Sequence, residues 1–402
     1  MKVTLEDIRE AREVLKNVAY KTGLVHNTTL SEMTGNHVYL KMENLQKTGS
    51  FKLRGAYNKI AHLTEEEKKR GVIASSAGNH AQGVALGATS YGIKSTIVMP
   101  KHAPLSKVSA TRKYGAGVVL HGSVYDEAYA MAKKIQEETG ATFIHPFNDP
   151  LVIAGQGTIG LEIIEDLPET DVIVVPIGGG GLISGVAIAA KSLKPDVKVI
   201  GVQTSNMPSM AVSISKKAIT TVEGVPTIAD GIAVKTPGDL TFEIVKEYVD
   251  DIVTVDEDEI ANAILLLLER AKVVSEGAGA VAVAAILNRL NNIKDKRIVA
   301  VVSGGNIDVN ILARVIDKGL VKSGRKIFVD TFLPDKPGTL CTLLNLVAGT
   351  GANVLSVTHS RSDKDVPIGY AKVELELETA DEEHVQRIKD VLEKHNYSIN
   401  IL

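Results

Sequence analysis

The stretch VIVVPIGGGGLISG, residues 172–185, joins an apolar run to a helical pattern through four consecutive glycines. An apolar run of about four to eight residues that ends in glycine is typical of a strand buried on both faces of a parallel sheet. Glycines in the following turn leave several backbone N–H groups free to face one anion, and the helix N-terminus adds partial positive charge. The stretch therefore predicts a strand, turn and helix of an α/β fold with an anion-binding turn. A tight turn without a ligand fits the same residues.

Similar units recur through residues 1–320. Buried strands are predicted at 71–75, 95–100, 117–122, 171–181, 197–203 and 297–305. Helices are predicted between them, for example at 126–140 and 258–274. This alternation indicates an α/β protein whose sheets are mostly parallel and covered on both faces. Ligands of such open sheets lie beyond the carboxyl ends of the strands, where Gly, Ser and Pro cluster in this chain.

The pattern changes near the C-terminal end of the chain. Residues 317–326 lack it and are predicted to form a linker. From 326 to 402 the order is strand, helix, strand, strand, helix, strand, which is the ferredoxin-like arrangement of a compact module. We therefore expect a body of residues 1–320 and a small C-terminal domain of residues 326–402.

The composition excludes several classes of protein. The 402 residues carry 45 basic and 48 acidic side chains, a formal net charge of −3 at pH 7, without a polybasic run. Binding to nucleic acid or to a membrane surface is therefore not expected. Cys341 is the one cysteine of the sequence, so neither an intrachain disulfide nor a cysteine-based metal cluster can form. The charged, amphipathic N-terminus is unlike a signal peptide and no apolar run is long enough for a bilayer, which favours a cytoplasmic location.

Two further clusters of polar residues follow predicted strands. The stretch SSAGNHAQG, residues 75–83, opens a small-residue helix and brings together Ser75, Ser76, Gly78, Asn79 and His80. Their hydroxyl, amide and backbone donors suit a carboxylate, whereas helix capping by Ser76 or Asn79 would need only one such group. The stretch VVSGGN, residues 301–306, ends another strand with the hydroxyl of Ser303. By itself this ending favours a turn.

Lys52 stands apart from the other lysines of the chain. In QKTGSFKLRGA, residues 46–56, it follows a Thr-Gly-Ser turn and starts a helix close to the core, whereas most other lysines lie among mixed charges. Partial burial lowers the pKa of a lysine, and lysine is the usual residue that forms a Schiff base. Together with a phosphate turn, a carboxylate site and a hydroxyl at a strand end, this predicts pyridoxal 5'-phosphate as cofactor.

The motifs KMENLQKTGSFKLRGA, SSAGNHAQG, GGGGL and SGGN, in this order, resemble the serine/threonine dehydratase family of fold-type II pyridoxal-phosphate enzymes. The resemblance covers the whole chain, because the C-terminal module is similar to an ACT domain, a regulatory unit of amino-acid enzymes. It implies two-lobed open parallel sheets similar to those of the tryptophan synthase β subunit, with a smaller lobe inserted at about 45–145. Within the family the chain is most similar to members that deaminate threonine.

The resemblance also implies roles for matching residues. Lys52 would form the Schiff base and remove the α-proton, with Phe51 packed beside the ring. The other cofactor contacts would come from Asn79 at the phenolic oxygen, Gly178, Gly179, Gly180, Gly181 and Leu182 at the phosphate, and Ser303 at the pyridine nitrogen. Ser76, Asn79 and His80 would surround the substrate carboxylate.

The implied reaction is β-elimination of L-threonine to 2-oxobutanoate and ammonia, with L-serine as a secondary substrate, because one methyl group is worth only about 1–3 kcal/mol in a pocket. A neutral Ser303 would not hold the ring nitrogen protonated, which favours elimination over transamination. Replacing Ser303 with Asp tests this hypothesis, and undiminished elimination without side reactions would count against it.

Alternative functions remain open at this point. One is an L-serine dehydratase or racemase, and another is a non-catalytic amino-acid sensor. Racemases of the family carry an acid/base serine where this chain has Ala77, so slight racemisation is expected. They also carry acidic metal ligands where residues 203–210 of this chain hold no carboxylate, so no divalent metal site is expected.

The C-terminal module contains FLPDKPGTL, residues 332–340, between its first strand and first helix. By resemblance, the effector would be an amino acid such as isoleucine, held by Asp335, Lys336, Pro337, Gly338 and Asn353. A structural or dimerising module without a ligand fits the same residues. The long strand GYAKVELELE suits edge pairing with a second copy, so a homodimer or homotetramer is expected.

Overall fold

The computed structural model describes residues 2–401, and the chain passes from a first compact unit to a second between Val309 and Asn310. The strands of the first unit are β1 (Leu24–His26), β2 (His37–Lys41), β3 (Val72–Ser75), β4 (Ser95–Met99), β5 (Gly117–Leu120), β6 (Thr142–Phe143), β7 (Val172–Pro176), β8 (Lys198–Thr204), β9 (Asp251–Val255) and β10 (Arg297–Val301). Its α-helices are α1 (Leu5–Leu15), α2 (Thr28–Thr34), α3 (Lys52–Ala61), α4 (Glu65–Arg70), α5 (Asn79–Ser90), α6 (Leu105–Lys113), α7 (Tyr125–Thr139), α8 (Pro150–Asp166), α9 (Gly181–Leu193), α10 (Ser209–Lys216), α11 (Asp239–Tyr248), α12 (Glu257–Leu266) and α13 (Gly277–Asn288).

Two sheets form the framework of the first unit. The larger has the order β1-β2-β10-β7-β8-β9, and its strands pair in parallel except for β1, which runs antiparallel to β2 at the edge. The smaller has the order β5-β4-β3-β6, is parallel throughout, and lies at residues 72–143. Strands β3 and β7 are buried at every position, which explains their unbroken apolar sequences. The α/β class predicted from the sequence is confirmed.

Helix α3 packs unusually close to two neighbouring helices. A Cβ atom on Gly155 of α8 would lie 2.5 Å from the carbonyl oxygen of Arg54, and one on Gly83 of α5 would lie 3.1 Å from that of Lys52. A side chain at position 155 would collide with the backbone of α3, and one at position 83 would require that backbone to shift by a few tenths of an ångström. The first turn of α3, with Lys52, is therefore fixed between α5 and α8.

The helix predicted at 258–274 is interrupted in the structure. It begins with a capping box between Asp256 and Glu259, continues as α12 to Leu266, and ends in a π-helical segment, Leu267–Ala271. The apolar pattern predicts the helix but carries no signal for this change of hydrogen bonding.

The second unit contains α14 (Val309–Lys322), which begins at the unit boundary, followed by β11 (Lys326–Pro334), α15 (Thr339–Gly349), β12 (Asn353–Ser360), β13 (Tyr370–Glu378), α16 (Glu382–Lys394) and β14 (Ile399–Ile401). Its antiparallel sheet has the order β12-β13-β11-β14, which is the ferredoxin-like arrangement. The prediction that GYAKVELELE pairs at an edge is wrong, because this stretch forms β13, which is hydrogen-bonded to β12 on one side and to β11 on the other. Alternate residues of β11 and β13 are buried beneath the two helices.

The predicted linker at 317–326 differs from the structure. Residues 317–322 form the last turns of α14, and only 323–325 connect this helix to β11. Apolar residues such as Leu312, Val315 and Leu320 recur at helical spacing, and a single interior glycine, Gly319, costs only about 1 kcal/mol. The predicted linker is therefore wrong for residues 317–322.

Among residues 2–401, no helix combines the length and apolar character needed to cross a bilayer.

Candidate active site

Two of the predicted motifs are joined through their backbones. Ser50 and Gly304 form an isolated antiparallel bridge beside the carboxyl end of β10. The N–H of Phe51 donates to the carbonyl of Ser303 at 3.1 Å, and the N–H of Gly305 donates to that of Gly49 at 2.9 Å. The turn that leads into Lys52 is thus fastened to the SGGN segment.

Lys52 is the first residue of α3, and its amine faces a cleft. Its Nζ donates to the carbonyl of Pro146 at 2.8 Å and lies 5.1 Å from the centre of the Phe51 ring. Burial lowers the pKa of Lys52 to about 8, although the nearby Glu276 carboxylate opposes this shift. A larger fraction of this amine is therefore neutral near pH 7 than of an ordinary lysine.

The glycine turn lies between β7 and α9. Gly180 has φ of +98°, a conformation that side chains disfavour, and a Cβ on Gly179 would lie 2.4 Å from the ring of Phe147. Thr241 Oγ1 donates to the carbonyl of Gly179 at 2.6 Å and holds the turn. Among the described residues, the N–H groups of the three glycines 178–180 donate to no protein acceptor. Gly181 and Leu182 start α9, where N–H groups lack intrahelical partners.

The segment 145–148 links these two parts of the site. Pro146 accepts the hydrogen bond from Lys52, and the next residue, Phe147, packs against the glycine turn. No sequence motif marked this segment. It adjoins the short strand β6, which the sequence pattern also left unassigned.

Asn79 is the N-terminal residue of α5 and lies between two polar side chains. Its Oδ1 accepts from Asn306 Nδ2 at 2.7 Å, and its Nδ2 donates to Glu276 Oε1 at 2.6 Å. Ser303, buried at the end of β10, donates from Oγ to the carbonyl of Ala278 at 3.3 Å. Asn79, Asn306 and the SGGN segment therefore belong to one hydrogen-bonded group.

Glu276 is the functional residue that the sequence analysis missed. It is only 5 % exposed, and its N–H donates to the carbonyl of Gly304. Burial and the charge of Asp230 raise the pKa of Glu276 to about 7, against the opposing effects of Lys107, Asn79 and Lys52. No sequence signal marks it, because an acidic residue directly before a helix is also favoured by the helix dipole.

Both histidines of the cleft are held neutral. His80 Nε2 lies 2.8 Å from the carbonyl of Ile144, and burial, with the charge of Lys52, lowers the pKa of His80 to about 3. His145 Nδ1 accepts from the N–H of Asn148 at 2.8 Å, and burial lowers the pKa of His145 to about 4. The His80 ring cannot offer a positive charge to a carboxylate. Its backbone N–H, near the start of α5, is the donor that remains.

The residues of the cleft fit pyridoxal phosphate. They include a partly neutral lysine amine, which an aldehyde requires to form a Schiff base, and a row of unpaired N–H groups at a helix start, which suits a phosphate. Gly78 borders open space, since a Cβ there would meet no atom within 4 Å. In residues 2–401, no group of three or more His, Cys, Asp or Glu side chains is arranged to hold a metal ion.

Residues 15–304 match the family model described as "Pyridoxal-phosphate dependent enzyme". The chain belongs to this family. The match includes each of the residues placed around the cleft, from Lys52 to Ser303, and gives the cofactor of the family as pyridoxal phosphate.

Named relatives cover most or all of the chain. An L-threonine ammonia-lyase of Thermotoga maritima is 66% identical over 400 residues and is covered completely by this chain, as this chain is by it. The catabolic L-threonine dehydratase TdcB of Escherichia coli K12 is 52% identical over 315 residues, which make up 96% of that protein and 78% of this chain. The structure of maize serine racemase superposes with a TM-score of 0.75 at 38% identity, covering 80% of this chain and 99% of that one.

The residues predicted for an effector do not meet within one copy of the second unit. Residues 335–338 are exposed and follow Pro334, which pairs with Tyr370, whereas Asn353 pairs with Glu378 at the other end of β13. These ends are about 27 Å apart along a nine-residue strand. Asp335 instead forms an ion pair with Arg361 at 2.8 Å.

Proposed function

We propose that this chain is an L-threonine ammonia-lyase, which converts L-threonine to 2-oxobutanoate and ammonia by β-elimination. The observation that carries the proposal is that hydrogen bonds join the segments of Lys52 and Asn79 to the SGGN segment, while Lys52 also bonds to Pro146 next to the ring that packs on the glycine turn, in a chain of the pyridoxal-phosphate family. A relative that matches the full length at 66% identity carries the name L-threonine ammonia-lyase. The cofactor, when bound, supplies the electron sink for breaking bonds at the substrate α-carbon.

Lys52 would carry the cofactor and, once displaced by substrate, take the α-proton at Nζ. A pKa of about 8 leaves roughly a tenth of this amine neutral at pH 7, enough to act as nucleophile and base. The hydrogen bond from Nζ to Pro146 holds the amine in the cleft before the cofactor binds. The free N–H groups of the glycine turn, with that of Leu182, would hold the phosphate, and Ser303 would meet the ring nitrogen.

The substrate carboxylate would bind at the start of α5. Ser76 Oγ accepts from the N–H of Gly78 at 3.2 Å and keeps its own hydrogen for a ligand. The unpaired N–H groups of the first helical turn, at Asn79 and His80, add two donors and the helix dipole. Binding through these neutral groups needs no charged side chain, which agrees with the low pKa of His80.

Action on L-serine, by deamination or racemisation, is the second candidate function, and the likeness to maize serine racemase motivates its test. Ala77 lies in the part-buried turn before α5 and carries only a methyl group, so it cannot move a proton. We expect deamination of L-serine at a lower kcat/KM than of L-threonine and little D-serine. A purely sensory role is disfavoured by the perturbed pKa of Lys52.

The test is the release of 2-oxobutanoate and ammonia, in equal amounts, from L-threonine by the purified holoenzyme. Lys52→Ala should abolish release, whereas Lys59→Ala, on the same helix but paired with Asp149, should retain it. Parallel assays with L-serine, including chiral analysis of the remaining serine, measure the second candidate function. No release from either substrate would refute the proposal.

We infer that the second unit is an ACT-type regulatory domain that binds an amino acid such as isoleucine. Its ferredoxin-like topology and the exposed loop 335–338 before α15 support this inference. Because Asn353 lies about 27 Å from that loop along the sheet, it would complete the site from a second copy. The edge strand β12 is available for pairing, which favours a homodimer or homotetramer.

Threonine turnover measured with and without isoleucine tests this regulation. Suppression by isoleucine that Asp335→Asn weakens would support an effector site at the loop. Lys364→Asn, a lysine-to-amide change at an exposed position outside the loop, is the control and should leave suppression unchanged. Turnover indifferent to isoleucine would leave the deamination proposal intact and overturn this assignment of the effector.

A further inference from the structure

The side-chain amide of Asn306 has one possible orientation. Its Nδ2 lies 2.7 Å from the carbonyl oxygen of Thr48 and 2.7 Å from Oδ1 of Asn79. A backbone carbonyl can only accept, so the nitrogen of the Asn306 amide must face Thr48. Both of its hydrogens are then used, and the one directed at Asn79 requires an acceptor there.

Glu276 fixes the opposite end of the Asn79 amide. Its Oε1 accepts from Asn79 Nδ2 at 2.6 Å. The backbone of Glu276 is fixed beside Gly304, because its N–H donates to the Gly304 carbonyl, and this holds the carboxylate in place. A Cβ on Gly304 would lie 2.3 Å from the same Oε1, so this approach requires glycine in the SGGN segment.

The two neighbours together exclude the flipped amide of Asn79. A flip would place its nitrogen against the donor of Asn306 and its oxygen against the carboxylate of Glu276. The contact with Asn306 would become donor–donor, and the contact with the ionised form of Glu276 would become acceptor–acceptor. In the observed orientation, the oxygen is occupied and one of the two Nδ2 hydrogens is used, so a single N–H remains for a ligand.

We propose that Asn306 and Glu276 are positioning residues that orient the Asn79 amide so that its remaining N–H meets the ring oxygen of pyridoxal phosphate. This inference rests on the proposed function and on the contact between Asn79 and the phenolic oxygen of the cofactor that the family resemblance implies. Asn306 also reaches Thr48, in the turn that leads to Lys52. The same residue therefore ties the donor to the segment that carries the cofactor-binding amine.

The test uses the visible absorbance band of the cofactor bound to Lys52, because its position reports the hydrogen bond to the ring oxygen. Asn306→Asp keeps the size of the side chain and removes both donations. We expect N306D to shift the band in the same direction as N79A and to weaken cofactor affinity about tenfold. E276Q retains an acceptor for Asn79 and should keep the band of the unchanged protein, whereas E276L should shift it.

Asn44→Ala is the matched control. Asn44 is another buried amide beside the SGGN segment, with its Nδ2 bonded to the carbonyl of Val274 at 3.0 Å and without a contact to Asn79. N44A should lower the melting temperature without moving the band. In the N79A background, N306D should cause no further shift, since the acting amide is already absent.

Three outcomes are decisive. A band unchanged in N306D, or shifted equally with and without Asn79, would overturn the orienting role. A band unchanged in N79A itself would instead overturn the placement of Asn79 at the ring oxygen. If N306D does not fold, E276L decides alone, and an unshifted band in that variant would refute the proposal.

Discussion

Two groups of ionisable side chains flank helix α3, and they differ in how completely their charges are paired. The paired cluster comprises Lys41, Glu43, Arg54 and Glu162, and the cleft group comprises Lys52, His80, His145 and Glu276. Lys52 and Arg54 are two residues apart and therefore about 200° apart around the helix axis. One short stretch of sequence thus supplies a basic residue to each group.

The paired cluster satisfies its charges internally. Arg54 donates to both carboxylates, including Glu43 Oε2 at 2.9 Å and Glu162 Oε1 at 2.6 Å, and Lys41 donates to Glu162 Oε2 at 2.6 Å. Burial alone would lower the pKa of Arg54, but the two carboxylates outweigh it and raise the pKa. The charge of Arg54 is therefore fixed across the physiological pH range.

The cleft group lacks such compensation. Burial lowers the pKa of Lys52 to about 8 and raises that of Glu276 to about 7, so both pKa values lie close to neutral pH. Burial with complete pairing therefore keeps a side chain charged. Burial without such pairing moves the pKa of a group toward the working pH, where the group can exchange protons.

The largest expected effect comes from breaking the paired cluster. Arg54→Met leaves two buried carboxylates with Lys41 as their remaining cation, and should lower the free energy of unfolding by about 3–5 kcal/mol. Lys59→Met, on the same helix, removes a more exposed ion pair with Asp149 and should cost less than about 1 kcal/mol. Urea unfolding of both variants measures the difference, and equal effects would contradict the distinction drawn here.

Glu276→Gln should change the free energy of unfolding by less than Arg54→Met does, and should raise it rather than lower it, in the cofactor-free chain. The folded pKa of Glu276 lies above its ordinary value of 4.5, so ionisation destabilises the fold as pH rises from about 4.5 to 7. Glutamine does not titrate. E276Q should therefore be more stable than the unchanged chain by about 1–3 kcal/mol at pH 8, with little difference at pH 4.5. A gain that is the same at both pH values would contradict the cause given for the shift.

The smallest expected effect is a shift in the pH dependence of cofactor capture. The rate at which the cofactor-free chain captures pyridoxal phosphate should rise with pH and reach half its maximum near 8, because only the neutral amine of Lys52 reacts. An ordinary lysine would require a pH near 10.4. In E276Q the midpoint should move lower, since the Glu276 charge raises the pKa of Lys52. A midpoint that moves higher, or not at all, would show that the two groups are not coupled as described.

Much of the framework was predictable from the sequence because its signals are local. The apolar runs that become β3, β7 and β10, and the glycines that end β7, lie within single stretches of about ten residues. Strands β1, β2, β6 and β9 were not predicted. The strands β1 and β6 have three and two residues, which give no readable period, whereas β2 and β9 have five residues each and were missed among polar neighbours. The helical residues 317–322 were missed because they lie beyond the last predicted strand, where the alternation of strands and helices ends.

The candidate site was predictable only in part. Lys52, Asn79 and Ser303 lie in recognisable motifs, but Glu276 reaches Asn79 across 197 residues of sequence. Similarly, the pairing of Arg54 with Glu162 spans 108 residues, so the sequence alone does not say which of two nearby basic residues is neutralised. Such partners follow from the packing of α3 and α13 against the strands rather than from any local pattern.

The most direct test of the account is to find which lysine carries the cofactor. The holoenzyme would be reduced with borohydride, which fixes the cofactor to its lysine, and the digested peptides analysed by mass. We expect the cofactor on Lys52 alone, because its amine combines a lowered pKa with a hydrogen bond to Pro146, next to the ring that packs on the glycine turn. Attachment to Lys41, Lys107 or any other lysine, or no attachment at all, would contradict it.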